Sequence, residues 1–245
     1  LMVNADVAMY RAKELGRDNF QWFAAEMNVM ARERMELEWH LRYAMQLGQL
    51  SLAYQPQCNA AGEVLAFEAL MRWQHPTLGA VSPSRFIPMA EDSSLIISLG
   101  EWALRKACAQ VAEWRKLGHP NLRISVNVSA LQFNRPDWVE TVRNALRDTQ
   151  LPPDALELEI TESLLLESER ETTSNLLELR KLGVGVAIDD FGTGYSSLSY
   201  LHKLPISTLK IDQSFVREIG TQPSHGQEAA PIIRTIITLA HILGM

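Results

Sequence analysis

The stretch Val184-Gly-Val-Ala-Ile-Asp-Asp-Phe-Gly-Thr-Gly-Tyr-Ser-Ser-Leu198 joins a short apolar strand to two adjacent carboxylates and then to a loop with two glycines. A run of valine and isoleucine without polar alternation is typical of a strand that is buried on both faces, as in a parallel sheet covered by helices. Asp189 and Asp190 therefore stand at the carboxyl end of this strand. Neighbouring carboxylates repel each other in a partly dry site, and a bound cation is what keeps both of them ionised. The stretch predicts an α/β fold with a cation site at a strand end.

Strand and helix patterns alternate along the chain from Leu50 onward, which is typical of parallel βαβ units. The predicted strands are Leu50–Tyr54, Val64–Met71, Leu122–Val128, Leu156–Thr161, Val184–Ile188 and Thr208–Ile211. The predicted helices are Ser94–Leu117, Asp137–Thr149, Leu164–Leu182 and Ile232–Leu243. Since a (β/α) barrel of about 250 residues is a normal single domain, we predict a TIM-like (β/α) barrel.

The charge and hydropathy of the chain exclude some classes of partner. A net charge of −6 argues against non-specific binding to a nucleic-acid duplex. No apolar run reaches the roughly 18 residues that a membrane span needs, and the chain opens without a signal peptide. We therefore expect a cytoplasmic protein, with any membrane anchor supplied by upstream segments.

The first 49 residues differ in pattern from the rest. A helical pattern at residues 6–15 is followed by a predicted short strand at Asn19–Phe23. Apolar residues then recur at alternating steps of three and four between Met27 and Ala44, with Arg34 as one polar interruption, and predict a long connecting helix. This helix either forms a coiled coil with another copy or packs on its own domain. Near the other end of the chain, Thr221–Ala230 lacks apolar periodicity and is predicted to be a flexible loop.

Oxygen-bearing side chains stand in or after five successive predicted strands. They are Glu68, Asn127, Glu159, Asp189 with Asp190, and finally Asp212, which follows Lys210. Because barrel sites gather at the carboxyl face of the strands, these side chains are expected to meet. A set without histidine or cysteine favours Mg²⁺, Mn²⁺ or Ca²⁺ over Zn²⁺.

A cluster this acidic has enough ligands for two metal ions. Two such ions can stabilise both the attacking and the leaving oxygen when a phosphodiester is cleaved, so the cluster suggests phosphodiester chemistry. Lys210 either stabilises the phosphate and orients the attacking water, or forms a structural ion pair with Asp189 or Asp190. Arg72 shares a strand face with Glu68, so it either grips a phosphate or forms a surface salt bridge.

Several motifs resemble those of known bacterial signalling domains. The EAL domain series is matched by Phe67-Glu-Ala-Leu-Met-Arg-Trp73, Asn127-Val-Ser-Ala-Leu-Gln132, Glu159-Ile-Thr-Glu162, Asp189-Asp-Phe-Gly-Thr-Gly-Tyr-Ser-Ser-Leu198 and Leu209-Lys-Ile-Asp212. EAL domains are phosphodiesterases that open the second messenger cyclic di-GMP to linear pGpG. The segment Ala5-Asp-Val-Ala-Met-Tyr-Arg-Ala-Lys13, with Gly16-Arg-Asp-Asn19, is similar to the C-terminal end of GGDEF (diguanylate cyclase) domains.

The resemblance implies a role for each matched residue. Those implied to bind metal, Mg²⁺ or Mn²⁺, are Glu68, Asn127, Glu159, Asp189 and, for a second ion, Asp190. Lys210 is implied to assist the attacking water, and Glu162 to anchor the loop from Asp190 to Ser197. Gln55 and Arg72 are implied to contact the substrate.

The resemblance also implies a domain organisation. Residues 1–23 are expected to be a GGDEF remnant, 24–49 a connecting helix and 50–245 an EAL domain. Because the family has two further strands beyond the position of Met245, the barrel in this chain is expected to be incomplete, with poor turnover on its own and with open edges that favour a homodimer. The rival hypothesis is a catalytically inactive EAL domain that acts as a cyclic di-GMP receptor.

Overall fold

The computed structural model describes residues 4–5, 8–9, 12, 18–167, 169–192, 201–219 and 226–245. Most of the predicted first helix therefore lies outside the described residues. The predicted strand at Asn19–Phe23 is wrong, because these residues are irregular. Phe20 and Trp22 contact each other edge-on, yet their residues are 76% and 83% exposed. A lone strand without a paired neighbour has no ladder to stabilise it.

The elements of the described residues begin with a long helix, which is followed by single or consecutive strands and groups of consecutive helices. In chain order they are α1 (Ala25–Ala44), β1 (Leu50–Cys58), β2 (Val64–His75), β3 (Gly79–Val81), α2 (Pro83–Asp92), α3 (Ile96–Lys116), β4 (Arg123–Asn127), α4 (Ala130–Phe133), α5 (Trp138–Thr149), β5 (Leu156–Thr161), α6 (Leu164–Glu167), α7 (Glu169–Leu182), β6 (Gly185–Phe191), β7 (Thr208–Ile211), α8 (Gln213–Glu218) and α9 (Gly226–Leu243).

The strands form one sheet in the order β1-β2-β4-β5-β6-β7, with β3 pairing with β2. Pairing is parallel from β2 through β4, β5 and β6 to β7. β1 and β2 are joined by residues 59–63 alone, and a parallel pair needs a crossover of about a dozen residues, so this pair is antiparallel. The predicted α/β class with a parallel sheet is confirmed. Within the described residues no pairing joins β1 to β7, and the sheet is open.

Outward-facing side chains of the central strands build the core. Ile124, Leu158 and Ile188 are fully buried, and they belong to one apolar cluster with residues of α3 and α5. The backbone amide and carbonyl groups of parallel strands are hydrogen-bonded within the sheet. Helices can therefore cover a face of the sheet without leaving buried backbone groups unpaired. This arrangement leaves the inward face of the strands for polar side chains.

The helix predictions were correct in place but not always in extent. The predicted helix Leu164–Leu182 is two helices, α6 and α7. The predicted loop Thr221–Ala230 is wrong from Gly226 onward, where α9 begins, while residues 221–225 lie outside the described residues. Residues 227–230 are Gln-Glu-Ala-Ala, which are strong helix formers although they carry no apolar periodicity.

The contacts divide the chain into two compact units, one comprising Leu1–Leu50 with Trp73–Ser93 and the other Ser51–Arg72 with Ser94–Met245. In the first unit, α1 buries Leu37 and Leu41, and Arg34 of α1 forms an ion pair with Asp92 of α2 (2.6 Å). The C-terminal half of the apolar seam of α1 therefore packs within its own unit, whereas Met30 in the N-terminal half is 51% exposed. The domain boundaries at residues 23 and 49 stay a prediction.

In the described part of the chain, no helix combines the length and the apolarity that crossing a membrane requires.

The core of the second unit gives a direct test of the fold. Leu104 of α3 is fully buried, whereas Leu117, just after that helix, is 71% exposed. Leu104→Ala is expected to lower the free energy of unfolding by about 2–5 kcal/mol, because the cavity it leaves cannot collapse completely. Leu117→Ala serves as the control. Chemical denaturation measures the free energy of unfolding of both variants. Equal losses of that free energy in Leu104→Ala and Leu117→Ala would contradict the core assignment.

Candidate metal centre

The parallel register brings polar strand ends to one edge of the sheet. Asn127 of β4 is the partner of Glu159 of β5, and Thr161 of β5 is the partner of Asp189 of β6. Residues two apart on a strand share a face, so Asn127, Glu159 and Asp189 project to the same side as Glu68 of β2 and Lys210 of β7. The five side chains therefore lie together on one face of the sheet.

Three carboxylates form the centre of this group. Glu68, Glu159 and Asp189 each offer an oxygen, and these oxygens lie within 4.8 Å of one another. Asn127 Nδ2 donates a hydrogen bond to Glu68 Oε1 at 2.7 Å, so its amide is held against the cluster. The structure thus brings together four of the five predicted metal ligands.

Lys210 lies among the same oxygens. Its Nζ is 2.5 Å from Glu159 Oε2, 3.2 Å from Asp189 Oδ1 and 3.4 Å from Glu68 Oε2. Burial opposes the charged form of the amine, but Glu159, Asp189 and Glu68 outweigh it, and the pKa of Lys210 is raised. The predicted ion pair with Asp189 is therefore present, and Glu159 is the closer partner.

The cluster has more negative charge than its own lysine balances. The side chain of Glu159 is 0% exposed. Burial raises its pKa to about 7, although Lys210 pulls in the opposite direction. Three carboxylates face one ammonium group here, which leaves two negative charges when all are ionised. An all-oxygen donor set with that charge fits a hard divalent cation.

Asp190 is placed differently from the other predicted ligands. The group of three carboxylates does not include it, and its side chain is exposed at a point where the regular strand alternation breaks. The register between β6 and β7 shifts between Ile188 and Phe191, and Asp190 has a φ of 53°, in the left-handed region. Burial, then Asp189 and a hydrogen bond with Asp212, raise the pKa of Asp190.

Asp212 stands at the start of α8. Its side chain accepts a hydrogen bond from the Ser214 amide at 2.8 Å and so caps the helix. Hydrogen bonds from Ser214 lower the pKa of Asp212. Asp212 thus joins the helix cap to Asp190, and this link holds the second aspartate beside the main cluster.

Glu162 holds the first part of the loop that follows β6. Its side chain is almost completely buried, and its Oε2 accepts a hydrogen bond from the Gly192 amide at 3.0 Å. Gly192 has a φ of 103°, a conformation that side chains disfavour. The rest of the predicted loop, residues 193–197, lies outside the described residues.

The two predicted substrate contacts are not part of the cluster. Gln55 is exposed on β1, and Arg72 is exposed on β2, where its Nη1 donates to the Met71 carbonyl at 2.9 Å. Gln57, two residues beyond Gln55 on the same strand face, instead donates to Glu159 Oε1 at 3.4 Å. Sequence reasoning missed Gln57, although its spacing from Gln55 was a usable signal.

The turn after Asn127 has its own support. Ser129 and Gln132 form a capping box at the start of α4, and Gln132 is only 2% exposed. Gly100 of α3 lies against that side chain, and a Cβ at this position would come within 2.0 Å of Gln132 Nε2. A helical glycine is therefore needed here for space, so that the glutamine can hold the turn behind Asn127.

The family model of the EAL domain matches residues 39–245 of the chain. The chain belongs to the EAL domain family. The whole chain aligns with the bifunctional diguanylate cyclase/cyclic di-GMP phosphodiesterase MucR of Pseudomonas aeruginosa, with 44% identity over 246 residues, which cover 100% of this chain and 35% of MucR. It is 41% identical to the cyclic di-GMP phosphodiesterase PdeR of Escherichia coli over 242 residues, 99% of this chain and 36% of PdeR.

A solved structure of the PaMucR phosphodiesterase in a c-di-GMP complex superposes with a TM-score of 0.82 and 43% identity, and the match covers 86% of this EAL chain and 84% of that one. EAL domains have a TIM-like barrel, so the predicted fold class is confirmed. The chain spans about a third of the length of the curated relatives MucR and PdeR.

The contact between Gly100 and Gln132 generates a prediction for this EAL domain. Gly100→Ala is expected to displace Gln132 and to destabilise the fold by about 1–3 kcal/mol, as overpacking does. Ser98→Ala, on the same helix and solvent-exposed, is the control. The thermal melting temperatures of both variants measure the effect. A melting temperature for Gly100→Ala equal to or above that of the parent would show that Gln132 yields without cost.

Proposed function

We propose that this EAL domain is a metal-dependent phosphodiesterase that hydrolyses cyclic di-GMP to linear pGpG in bacterial second-messenger signalling in the cytoplasm. The observation that carries the proposal is the cluster of Glu68, Glu159 and Asp189 around Lys210, in which Glu159 is buried and the other two carboxylates are partly buried. A receptor needs only to bind its nucleotide. Concentrating three carboxylates around a buried centre is costly, and metal-dependent hydrolysis gives a reason for it.

The donor set indicates which residues would hold Mg²⁺ or Mn²⁺. Glu68, Asn127, Glu159 and Asp189 would hold one ion, and Asp190 beside Asp189 would hold a second. When bound, the ions would supply the positive charge that polarises a phosphodiester and lowers the pKa of water.

Lys210 has a role that its pKa restricts. Because this pKa is raised, the amine is an ammonium group at neutral pH and cannot act as a general base. It can donate hydrogen bonds, stabilise negative charge on the phosphate and orient the attacking water. Its position in contact with all three carboxylates places that charge at the centre of the site.

The remaining assignments concern substrate and loop. The Arg72 guanidinium is exposed and has the donor geometry to grip a phosphate with two parallel hydrogen bonds, while Gln55 is exposed on the neighbouring strand. The relatives MucR and PdeR are named cyclic di-GMP phosphodiesterases, which supports the substrate assignment. The whole-chain alignment with a bifunctional cyclase also supports a GGDEF origin for residues 1–23.

The metal-ligand assignment predicts the effect of two substitutions. Glu68→Ala and Asp189→Ala are each expected to lower the turnover of cyclic di-GMP by more than about 100-fold, because loss of even an outer-shell partner costs about 10- to 100-fold. The affinity of both variants for Mn²⁺ should also fall. Glu63→Ala, in the turn after β1, is the control. Chromatographic assay of pGpG and calorimetric titration with Mn²⁺ measure both quantities, and full metal-dependent turnover by either variant would refute the assignment.

The same assay separates the enzyme from the rival receptor. Nucleotide binding without any pGpG, at saturating Mg²⁺ and Mn²⁺, would favour an inactive EAL domain that binds cyclic di-GMP. Release of pGpG that stops when a chelator is added is the outcome we expect.

Glu162 provides a separate prediction through the loop that it holds. Glu162→Ala is expected to lower kcat by about 10- to 100-fold, as loss of a supporting partner does, because the Gly192 amide loses its acceptor. Glu162→Gln retains an acceptor oxygen and should keep most of the activity. If Glu162→Ala matched the parent in kcat while remaining folded by circular dichroism, the loop would not depend on this hydrogen bond.

A further inference from the structure

A second layer of polar side chains lies beside the metal cluster on the same strands. Thr208 Oγ1 donates to Glu157 Oε1 at 2.7 Å, and Ser207 Oγ is 3.2 Å from the same oxygen. Ser125 Oγ lies 3.5 Å from Glu157 Oε2. Glu157 therefore lies within hydrogen-bond distance of hydroxyl groups from β4, from β7 and from the residue that precedes β7, and the Ser207 hydroxyl divides its single proton between Glu157 and the Val186 carbonyl, which is 2.8 Å away.

This layer repeats the geometry of the metal cluster one step along the strands. Glu157 and Glu159 are two residues apart on β5, and Thr208 and Lys210 are two residues apart on β7, so each pair shares a face. The contact Thr208–Glu157 and the contact Lys210–Glu159 (2.5 Å) are thus parallel links between the same two strands. At about 3.3 Å per residue, they lie about 6–7 Å apart along the strands.

Both links span β6, which lies between β5 and β7 in the sheet. Gly185 is the β6 partner of Glu157, and Ala187 is the partner of Glu159. A Cβ at Gly185 would lie 3.3 Å from Ser207 Oγ and 3.5 Å from Glu157 Oε1. Gly185 is not among the glycines with positive φ, so its backbone does not require glycine. The limited space beside the hydroxyl layer is what favours glycine there.

We propose that Glu157, through Thr208 and Ser207, is a positioning residue that fixes the offset of β7 against β5 and so sets the place of Lys210 in the cluster. This inference rests on the proposed function, because it concerns the same site. The ion pairs of Lys210 cannot fix the offset alone, since a divalent cation would compete for the same carboxylate oxygens. The hydroxyl layer uses different atoms and keeps the offset in either case.

The test compares four variants of the full chain. Thr208→Val removes the hydroxyl at nearly constant volume, and Glu157→Ala removes both acceptor oxygens. Thr208→Ser restores the hydroxyl. Thr141→Val, which removes an exposed hydroxyl on α5, is the matched control.

The first measurement does not depend on turnover. Amine-reactive labelling of the metal-free protein, followed by mass spectrometry, gives the labelling rate of Lys210 relative to Lys181, whose side chain is 71% exposed. We expect this ratio to rise severalfold in Thr208→Val and Glu157→Ala and to stay at the parent value in Thr208→Ser and Thr141→Val. A lower melting temperature with an unchanged ratio in both variants would overturn the proposal, because the layer would then be purely structural.

The second measurement is kinetic. At saturating Mn²⁺ we expect kcat to fall about 10- to 100-fold in Thr208→Val, since a misplacement of about 1 Å can cost that much, with KM unchanged and with rescue by Thr208→Ser. Equal kcat in parent and Thr208→Val would overturn the proposal. If the parent shows no turnover while the labelling ratios of the variants still change as expected, this chain lacks phosphodiesterase activity and the positioning role is supported.

Discussion

The contact between Lys210 and the buried carboxylate of Glu159 is the interaction on which this structure depends. The Lys210 ammonium group lies 2.5 Å from a carboxylate with no solvent exposure, so removal of Lys210 would leave that carboxylate buried without its closest partner. The strands β5 and β7 that carry them are not neighbours, so β6 must present small residues between them. Ala187, the β6 partner of Glu159, leaves the space that this contact crosses, and Gly185 does the same for the parallel contact between Thr208 and Glu157.

Alternate residues of the central strands face either the apolar core or the polar site. Along β5 the residues Leu156, Leu158 and Ile160 face the helices and are buried among apolar side chains, while Glu157 and Glu159 face inward. A parallel sheet with helices on its outer face can therefore carry a strongly acidic interior without losing apolar burial. Stability and chemistry are assigned to alternate residues of one strand, and substitutions of either set are expected to be largely independent of the other.

Much of this arrangement could be predicted from the sequence, and the failures have physical causes. The bounds of β5 and β7 were predicted to the residue, because apolar and polar side chains alternate along both strands and each strand ends just before an acidic residue, Glu162 or Asp212. β3 was missed because its three residues carry too little pattern, and their pairing with β2 is a tertiary effect. Gln57 was missed for a similar reason. Gln55 and Gln57 have the same alternation, and only the three-dimensional position of Glu159 distinguishes them.

The backbone at Asp190 changes how its substitutions should be understood. With a φ of 53° it occupies a conformation that asparagine and aspartate tolerate and that most other residues adopt at a cost of about 1–2 kcal/mol. Alanine at this position would alter both the charge and the local chain path, so a loss of function could not be attributed to either. Asparagine would change the charge alone. Natural variation here should accordingly be confined to the few residue types that accept a left-handed backbone, whatever chemistry the side chain performs.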